Sequence, residues 1–161
     1  MQTSYGYSIP AGVPGGFFDL SNHDIVARNN DAETGKMKFG FGVTQGTNPG
    51  ASVKIPATGD TADKFEGVVV YEATKELDRD GKISILNKAT LSVMTYGKVY
   101  VRTAATATIA YGTETYLVTD GVEAGCFTDS TDSTSTSKVA VKGRFISNVA
   151  DGLAVVELYN A

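Results

Sequence analysis

The chain has 161 residues, of which 14 are basic and 18 are acidic, and its formal net charge is −4. This length is typical of one domain, so we treat residues 1–161 as a single domain. The basic residues are scattered singly, whereas nucleic-acid binders carry a basic stripe or patch. The most apolar run, Val68–Tyr71, is far shorter than the roughly 20 residues that cross a bilayer. We therefore expect neither a nucleic acid nor a membrane as partner.

The N-terminal segment 1–16 is predicted to be an extended arm. Pro10 and Pro14 each remove a backbone donor and favour extended conformations in the residue before them. Ordering one residue costs about 1–2 kcal/mol of chain entropy, so an arm is ordered only where its side chains find a surface. Five large apolar side chains in or next to this arm need such a surface, on their own domain or on a neighbour: Tyr5, Tyr7, Ile9, Phe17 and Phe18.

From Asp24 onward the sequence has the pattern of short strands separated by turn residues. In Lys98–Arg102, apolar and charged residues alternate, which places Val99 and Val101 on the buried face of a strand. Lys138–Lys142 repeats this alternation. We therefore predict an all-β fold, a small antiparallel β-barrel or sandwich with little helix.

Two Asp-Gly pairs lie between strand candidates and predict hairpins, because a type I′ turn needs positive φ at both central residues. Asp120-Gly121 would join strands 115–119 and 122–127. Asp151-Gly152 would join strands 144–149 and 153–158. The best helical window, Tyr71–Leu77, supports one turn of helix or a loop.

The segment 128–137 contains only Ser, Thr and Asp. Such a composition buries no apolar area, so we predict an exposed loop. The Gly40-Phe41-Gly42 run lacks a following helix and is assigned to β-structure, where glycines let neighbouring groups approach closely.

The sequence holds no convincing catalytic, metal or cofactor site. His23 is the single histidine and Cys126 the single cysteine, which excludes a two-thiolate or multi-histidine metal site. Both are assigned structural places, His23 in a turn and Cys126 at the core or a strand edge. A hydrolase using acids such as Asp60 and Asp63 is the least favoured class, since nothing marks the two as a tuned pair. We predict that the chain is not an enzyme and has no cofactor.

The order of several β motifs resembles that of the phage structural cement, or capsid decoration, family. The motifs are Phe39–Val43, Phe65–Val70, Tyr96–Val101, Gly143–Phe145 and Ala150–Val156, and the resemblance runs from about Ala11 to Leu158. Lys98 stands where the family usually has arginine, and the segment 128–137 resembles an insertion specific to this chain.

The resemblance implies a protein of the virion that is made in the host cytoplasm and docks on the capsid exterior. It would bind the major capsid protein, bridge neighbouring coat subunits and act as a homo-oligomer, with a trimer favoured. Tyr5, Tyr7, Ile9, Phe17 and Phe18 are the candidate capsid contacts. The alternative is a phage tail or baseplate module, or a glycan-binding adhesin domain, which would need an exposed aromatic platform.

Overall fold

A computed structural model describes residues 12–73, 81, 83–132 and 137–159, and these residues form mainly β-strands. Their helical segments are two one-turn 3-10 helices, Ala62–Lys64 and Gly121–Glu123. This confirms the prediction of an all-β chain with little helix. The strands in chain order are β1 (Asp24–Asn30), β2 (Gly42–Gln45), β3 (Ser52–Lys54), β4 (Phe65–Val69), β5 (Thr90–Arg102), β6 (Glu114–Val118), β7 (Phe127–Thr128), β8 (Lys138–Phe145) and β9 (Leu153–Leu158).

Five strands close into a barrel. Their order is β1-β3-β2-β4-β5, and β5 pairs back onto β1. The β1–β3 pair is parallel, with Asn29 opposite Ser52, while the other four pairings are antiparallel. Closure leaves these strands without open edges. The predicted antiparallel barrel is confirmed, with this one parallel pair as a difference.

The long strand β5 belongs to two sheets. Its first half, up to Tyr96, pairs with β1 in the barrel. Its second half, Gly97–Arg102, pairs with β9, and the sheet continues through β8 and β6 to β7. The partner changes at Gly97, whose φ of +124° is in a region that favours glycine.

Two apolar cores fill the molecule, one inside the barrel and one under the second sheet. Strand β4 separates them, because Val69 faces the barrel core while Val68 and Val70 face the other. On β5, Val93 and Met94 divide in the same way. Each such side chain contributes about 1.5–3 kcal/mol by burial. The alternation of β-strand side chains thus places one strand pair between two cores.

The Asp151-Gly152 hairpin is confirmed, but its first strand ends at Phe145 and does not extend to Val149 as predicted. The φ angles of Asp151 and Gly152 are 53° and 73°, as a type I′ turn requires, and the turn joins β8 to β9. The segment after Asp120 differs from the prediction. Strands β6 and β7 do pair, but β7 is only Phe127–Thr128, so the predicted strand over 122–127 is wrong. A 3-10 turn takes its place and leaves Val122 fully exposed.

The prediction that 128–137 is an exposed loop is wrong for three of its described residues. Thr128, Asp129 and Asp132 are buried. The Asp132 carboxylate accepts hydrogen bonds from the hydroxyls of Thr106 (2.9 Å) and Thr128 (2.8 Å). Polar residues can therefore be buried here because they satisfy one another's hydrogen bonds, which composition does not reveal. Residues 133–136 lie outside the described part.

Lys138 also holds this loop in place. Its Nζ donates to the backbone carbonyl oxygens of Asp129, Ser130 and Asp132 at 3.1, 2.9 and 2.6 Å. The ammonium group also lies 5.7 Å from the centre of the Tyr116 ring. One lysine side chain thus satisfies the hydrogen bonding of three backbone carbonyl groups within residues 129–132.

Replacing Lys138 with methionine is expected to lower the free energy of unfolding by about 1–3 kcal/mol, since hydrogen bonds to a charged group are among the stronger ones. Urea unfolding measures this loss, and hydrogen exchange is expected to be faster at the amides of 129–132. The matched control is Lys142→Met, an exposed lysine on the same strand. Equal stability of the two variants would contradict the role given to Lys138.

Candidate functional site

The segment Gly15–Phe18 forms an extra edge along the second half of β5. The Gly15 N–H donates to the Tyr100 carbonyl (2.8 Å), the Tyr100 N–H donates to Gly16 (3.0 Å), and the Phe18 N–H donates to Lys98 (3.2 Å). Between these bonds Phe17 lies opposite Val99 in an antiparallel bridge. The end of the predicted arm is therefore part of the sheet.

Glycines allow this segment to lie close to the neighbouring strands. Gly15 has a φ of +76°, and a Cβ there would lie 2.6 Å from the carbonyl oxygen of Val69 and 2.7 Å from the Tyr71 nitrogen. A Cβ on Gly12 would collide with the Tyr100 ring. These glycines permit close packing of the segment on its own domain. From residue 12 onward the predicted arm packs on its own domain, one of the two surfaces that the sequence left open, while residues 1–11 lie outside the described part.

Four exposed apolar side chains follow this edge, and we call them the apolar strip: Val13, Phe17, Phe18 and Leu20. Their exposed fractions are 50%, 42%, 45% and 96%. The Phe17 ring lies 4.9 Å from the His23 ring, and the Phe18 ring 5.9 Å from that of Tyr100, measured between centres. Large apolar side chains that stay exposed close together in the sequence are candidates for an interaction site.

Asp19 fixes the turn that carries Leu20, the last residue of the apolar strip. Its carboxylate accepts from Lys98 Nζ (2.8 Å) and from the Ser21 N–H (3.0 Å) and hydroxyl. The hydrogen bond from Lys98 lowers the pKa of Asp19 to about 2, with Ser21 adding to the effect. The same pair raises the pKa of Lys98. Both groups are therefore charged near neutral pH, and their pairing holds the turn that presents Leu20.

The candidate capsid contacts divide between described and undescribed residues. Phe17 and Phe18 are both exposed, Phe17 against His23 and Phe18 against Tyr100, whereas Tyr5, Tyr7 and Ile9 fall outside the described residues. Val13 and Leu20 are also exposed in the apolar strip and were not predicted from the sequence. The sequence does contain one indication for Leu20. It is a large apolar residue between the polar residues Asp19 and Ser21, and it belongs to no alternating pattern that would bury it.

His23 lies in the turn before β1, as predicted. Its side chain is exposed, and Nδ1 lies 2.9 Å from the Ser21 carbonyl oxygen. His23 packs its ring against Phe17 and contacts the Ser21 carbonyl, as a residue that supports a turn does.

Asp60 is buried but serves the fold. Burial alone raises its pKa, but hydrogen bonds from the Ala57 N–H, the Thr44 hydroxyl and Lys54 outweigh burial and lower the pKa. Asp63 is exposed, and a hydrogen bond from Thr61 lowers its pKa. A general acid needs a raised pKa. The two carboxylates therefore lack the opposed pKa shifts of an acid–base pair.

Cys126 and the acidic side chains form no reactive or metal-binding group among the described residues. Burial raises the pKa of the Cys126 thiol to about 11, so the thiol is protonated near neutral pH. Within the described ranges no three His, Cys, Asp or Glu side chains are grouped so that they could hold a metal ion. Nor does any helix in these ranges have the length and apolar character to cross a membrane.

Comparison with known proteins supports one class of function. Among curated proteins none matches the chain. A chain of the solved structure "The capsid of Myoviridae Phage XM1" is similar in fold, with a TM-score of 0.70 and 18% identity over 98% of this chain and 96% of that one. The family model described as structural cement protein (E217 gp24/Pam3 gp6) matches residues 1–159. The chain therefore belongs to the phage structural cement protein family.

Proposed function

We propose that the chain binds the outer surface of the assembled phage capsid and stabilises contacts between neighbouring major capsid protein subunits. The observation that supports this most is the family match over residues 1–159. A protein of this function belongs to the virion, and its action is binding rather than catalysis. The exposed apolar strip beside β5 is the surface that we assign to capsid contact.

The mechanism is stabilisation by selective binding. A ligand that binds only the assembled lattice stabilises that lattice by mass action. A protein that spans two coat subunits meets its full binding surface only when both are in place. If three copies associate at a threefold position, each further contact benefits from a high effective concentration.

The apolar strip suits this role because its backbone is held in place by hydrogen bonds and an ion pair. Phe17 and Phe18 are fixed by backbone hydrogen bonds to β5, and the Asp19–Lys98 pair fixes the turn that carries Leu20. Less side-chain and loop entropy is then lost on binding. Large apolar anchors of this kind commonly carry much of the binding energy of an interface.

The double variant Phe18→Ser/Leu20→Ser tests the assignment. We expect at least a roughly 30-fold weaker binding to undecorated capsids, which corresponds to a hot-spot loss of about 2 kcal/mol. Sedimentation with capsids at increasing protein concentration measures the binding. The control is Val122→Ser, which removes an equally exposed apolar side chain far along the sequence and is expected to bind normally.

Deleting residues 1–11 tests the remaining candidates, Tyr5, Tyr7 and Ile9, in the same assay. The deletion ends before Gly12, so it leaves the packed segment in place. We expect reduced occupancy with unchanged thermal unfolding. If the double variant binds as the unaltered chain does, or if Val122→Ser binds equally poorly, the apolar strip is not the contact surface.

A further inference from the structure

A small cleft lies next to the apolar strip, between two exposed tyrosines. Tyr96 on β5 and Tyr159, which directly follows β9, line it, and its volume is about 280 Å³. Ser21 and Asn22 contribute polar groups from the turn before β1, while Gly97 lines the cleft on β5. This volume of about 280 Å³ is just below the range of ligand pockets, roughly 300–1,000 Å³, and suits a ligand of one ring.

The cleft is shaped by backbone that cannot readily change. Gly97 pairs with Leu158 of β9 and has a φ of +124°. A Cβ at this position would lie 2.7 Å from the Cβ of His23 and 3.3 Å from the Met94 sulfur. A side chain at Gly97 would therefore collide with His23, so glycine lets the turn before β1 pack closely against β5 beside the cleft.

The charged groups of the cleft are already paired. Lys98 Nζ binds Asp19 at 2.8 Å, and Glu157 binds Arg144 Nε at 2.9 Å. The Tyr159 hydroxyl donates to the same Glu157 carboxylate at 3.4 Å. Because Lys98 and Glu157 each already have an oppositely charged partner, the cleft does not need a charged ligand. This favours an uncharged ligand. Ammonium and carboxylate groups have several hydrogen-bonding positions, so Lys98 and Glu157 can also bind hydroxyl groups.

We propose that this cleft binds a pyranose ring of an uncharged saccharide. A pyranose has a face of C–H groups that packs on an aromatic ring, and a rim of hydroxyls that both donate and accept hydrogen bonds. Tyr96 and Tyr159 provide aromatic surface. Glu157, Lys98 and Asn22 provide acceptors and donors around it. This activity goes beyond capsid binding and would let a decorated particle attach to a glycan-bearing surface.

Saccharide binding is tested on the free protein with a glycan array of neutral mono- and oligosaccharides, followed by titration of the best ligand. Free monosaccharides and glycans on a surface are compared to separate ring recognition from avidity. We expect Tyr159→Ala to weaken binding at least tenfold. The matched control is Tyr111→Ala, an exposed tyrosine outside the cleft that packs on Arg144, and it is expected to bind normally.

Capsid occupancy of the same variants separates this inference from the proposed function. We expect Tyr159→Ala to decorate capsids normally and Phe18→Ser/Leu20→Ser to bind saccharide normally. The inference is overturned if no neutral saccharide binds, or if Tyr111→Ala and Tyr159→Ala lose binding equally. It is also overturned if Tyr159→Ala binds saccharide normally or loses capsid occupancy, since the latter would assign the cleft to the capsid interface.

Discussion

Replacing Phe127 with alanine is expected to lower the free energy of unfolding by about 3–5 kcal/mol, as for other buried aromatic residues. Phe127 is fully buried where the barrel meets the second sheet. Its ring packs edge-on against Phe65, with 6.4 Å between ring centres. A Cβ on Gly42 would lie 2.8 Å from its Cζ atom, so the barrel backbone also contacts this ring.

The cavity left by this replacement has rigid surroundings. Gly42 belongs to the closed barrel, and Ala104 donates its N–H to the Phe127 carbonyl at 2.9 Å. Walls of this kind collapse little, which places the expected loss in the upper part of the range for large-to-small replacements.

Urea unfolding with an unchanged m-value measures this loss. Leu20→Ala is the control, because Leu20 is 96% exposed and its replacement is expected to change stability by no more than about 0.5 kcal/mol. A loss below 1 kcal/mol for Phe127→Ala would show that the two parts of the molecule do not share a tightly packed core.

Local features of the fold were predictable from the sequence. The alternation of Val99 and Val101 with Lys98 and Arg102 determines which face of β5 is buried, since side chains alternate along any strand. The turn at Asp151-Gly152 was predictable because few other dipeptides adopt positive φ at two successive residues. Both depend only on neighbouring residues.

Pairings between distant segments were not predictable. Closure of the barrel depends on the parallel pairing of β1 with β3 and on the return of β5 to β1. No pattern within one strand specifies its partner. The strand-like addition of Gly15–Phe18 to β5 has the same cause, because its glycines are equally compatible with a free arm.

The burial of polar residues in the segment 128–137 was also not predictable from the sequence. Asp132 and Thr128 are buried because each hydrogen-bonds the other and Lys138 satisfies the surrounding carbonyls. Composition counts apolar area and does not register such mutual satisfaction. A lone Asp or Thr in this segment would remain exposed, so Thr128, Asp129 and Asp132 are buried as a group.

The candidate contact surface was predicted in part. Phe17 and Phe18 were identified because large aromatics in a polar, glycine-rich segment need a surface, and both are now seen in an exposed strip. Their role in capsid binding stays a prediction, as does that of Tyr5, Tyr7 and Ile9. The cleft between Tyr96 and Tyr159 joins residues 63 positions apart in the chain, which only the pairing of β5 with β9 brings together.

Among the glycines, Gly67 is the position where we expect an added methyl group to destabilise the fold most. It lies in β4 with a φ of +142°, where an irregularity in the pairing with β2 leaves Glu66 as an extra residue. A Cβ there would collide with the carbonyl oxygen of Met94 and lie 2.8 Å from Val93 Cγ1. The obstacle is backbone of the neighbouring strand, which side-chain rotation does not relieve.

Gly67→Ala is therefore expected to cost about 3 kcal/mol or more, the sum of backbone strain and overpacking. Gly50→Ala is the matched control, because Gly50 has a φ of +78° but nothing within 4 Å of a Cβ. It is expected to cost only about 1–2 kcal/mol from its backbone conformation. Thermal and urea unfolding of both variants separate the two contributions. Similar losses would mean that β4 can move away from β5, and that the barrel closes less tightly than the contact between Gly67 and Met94 requires.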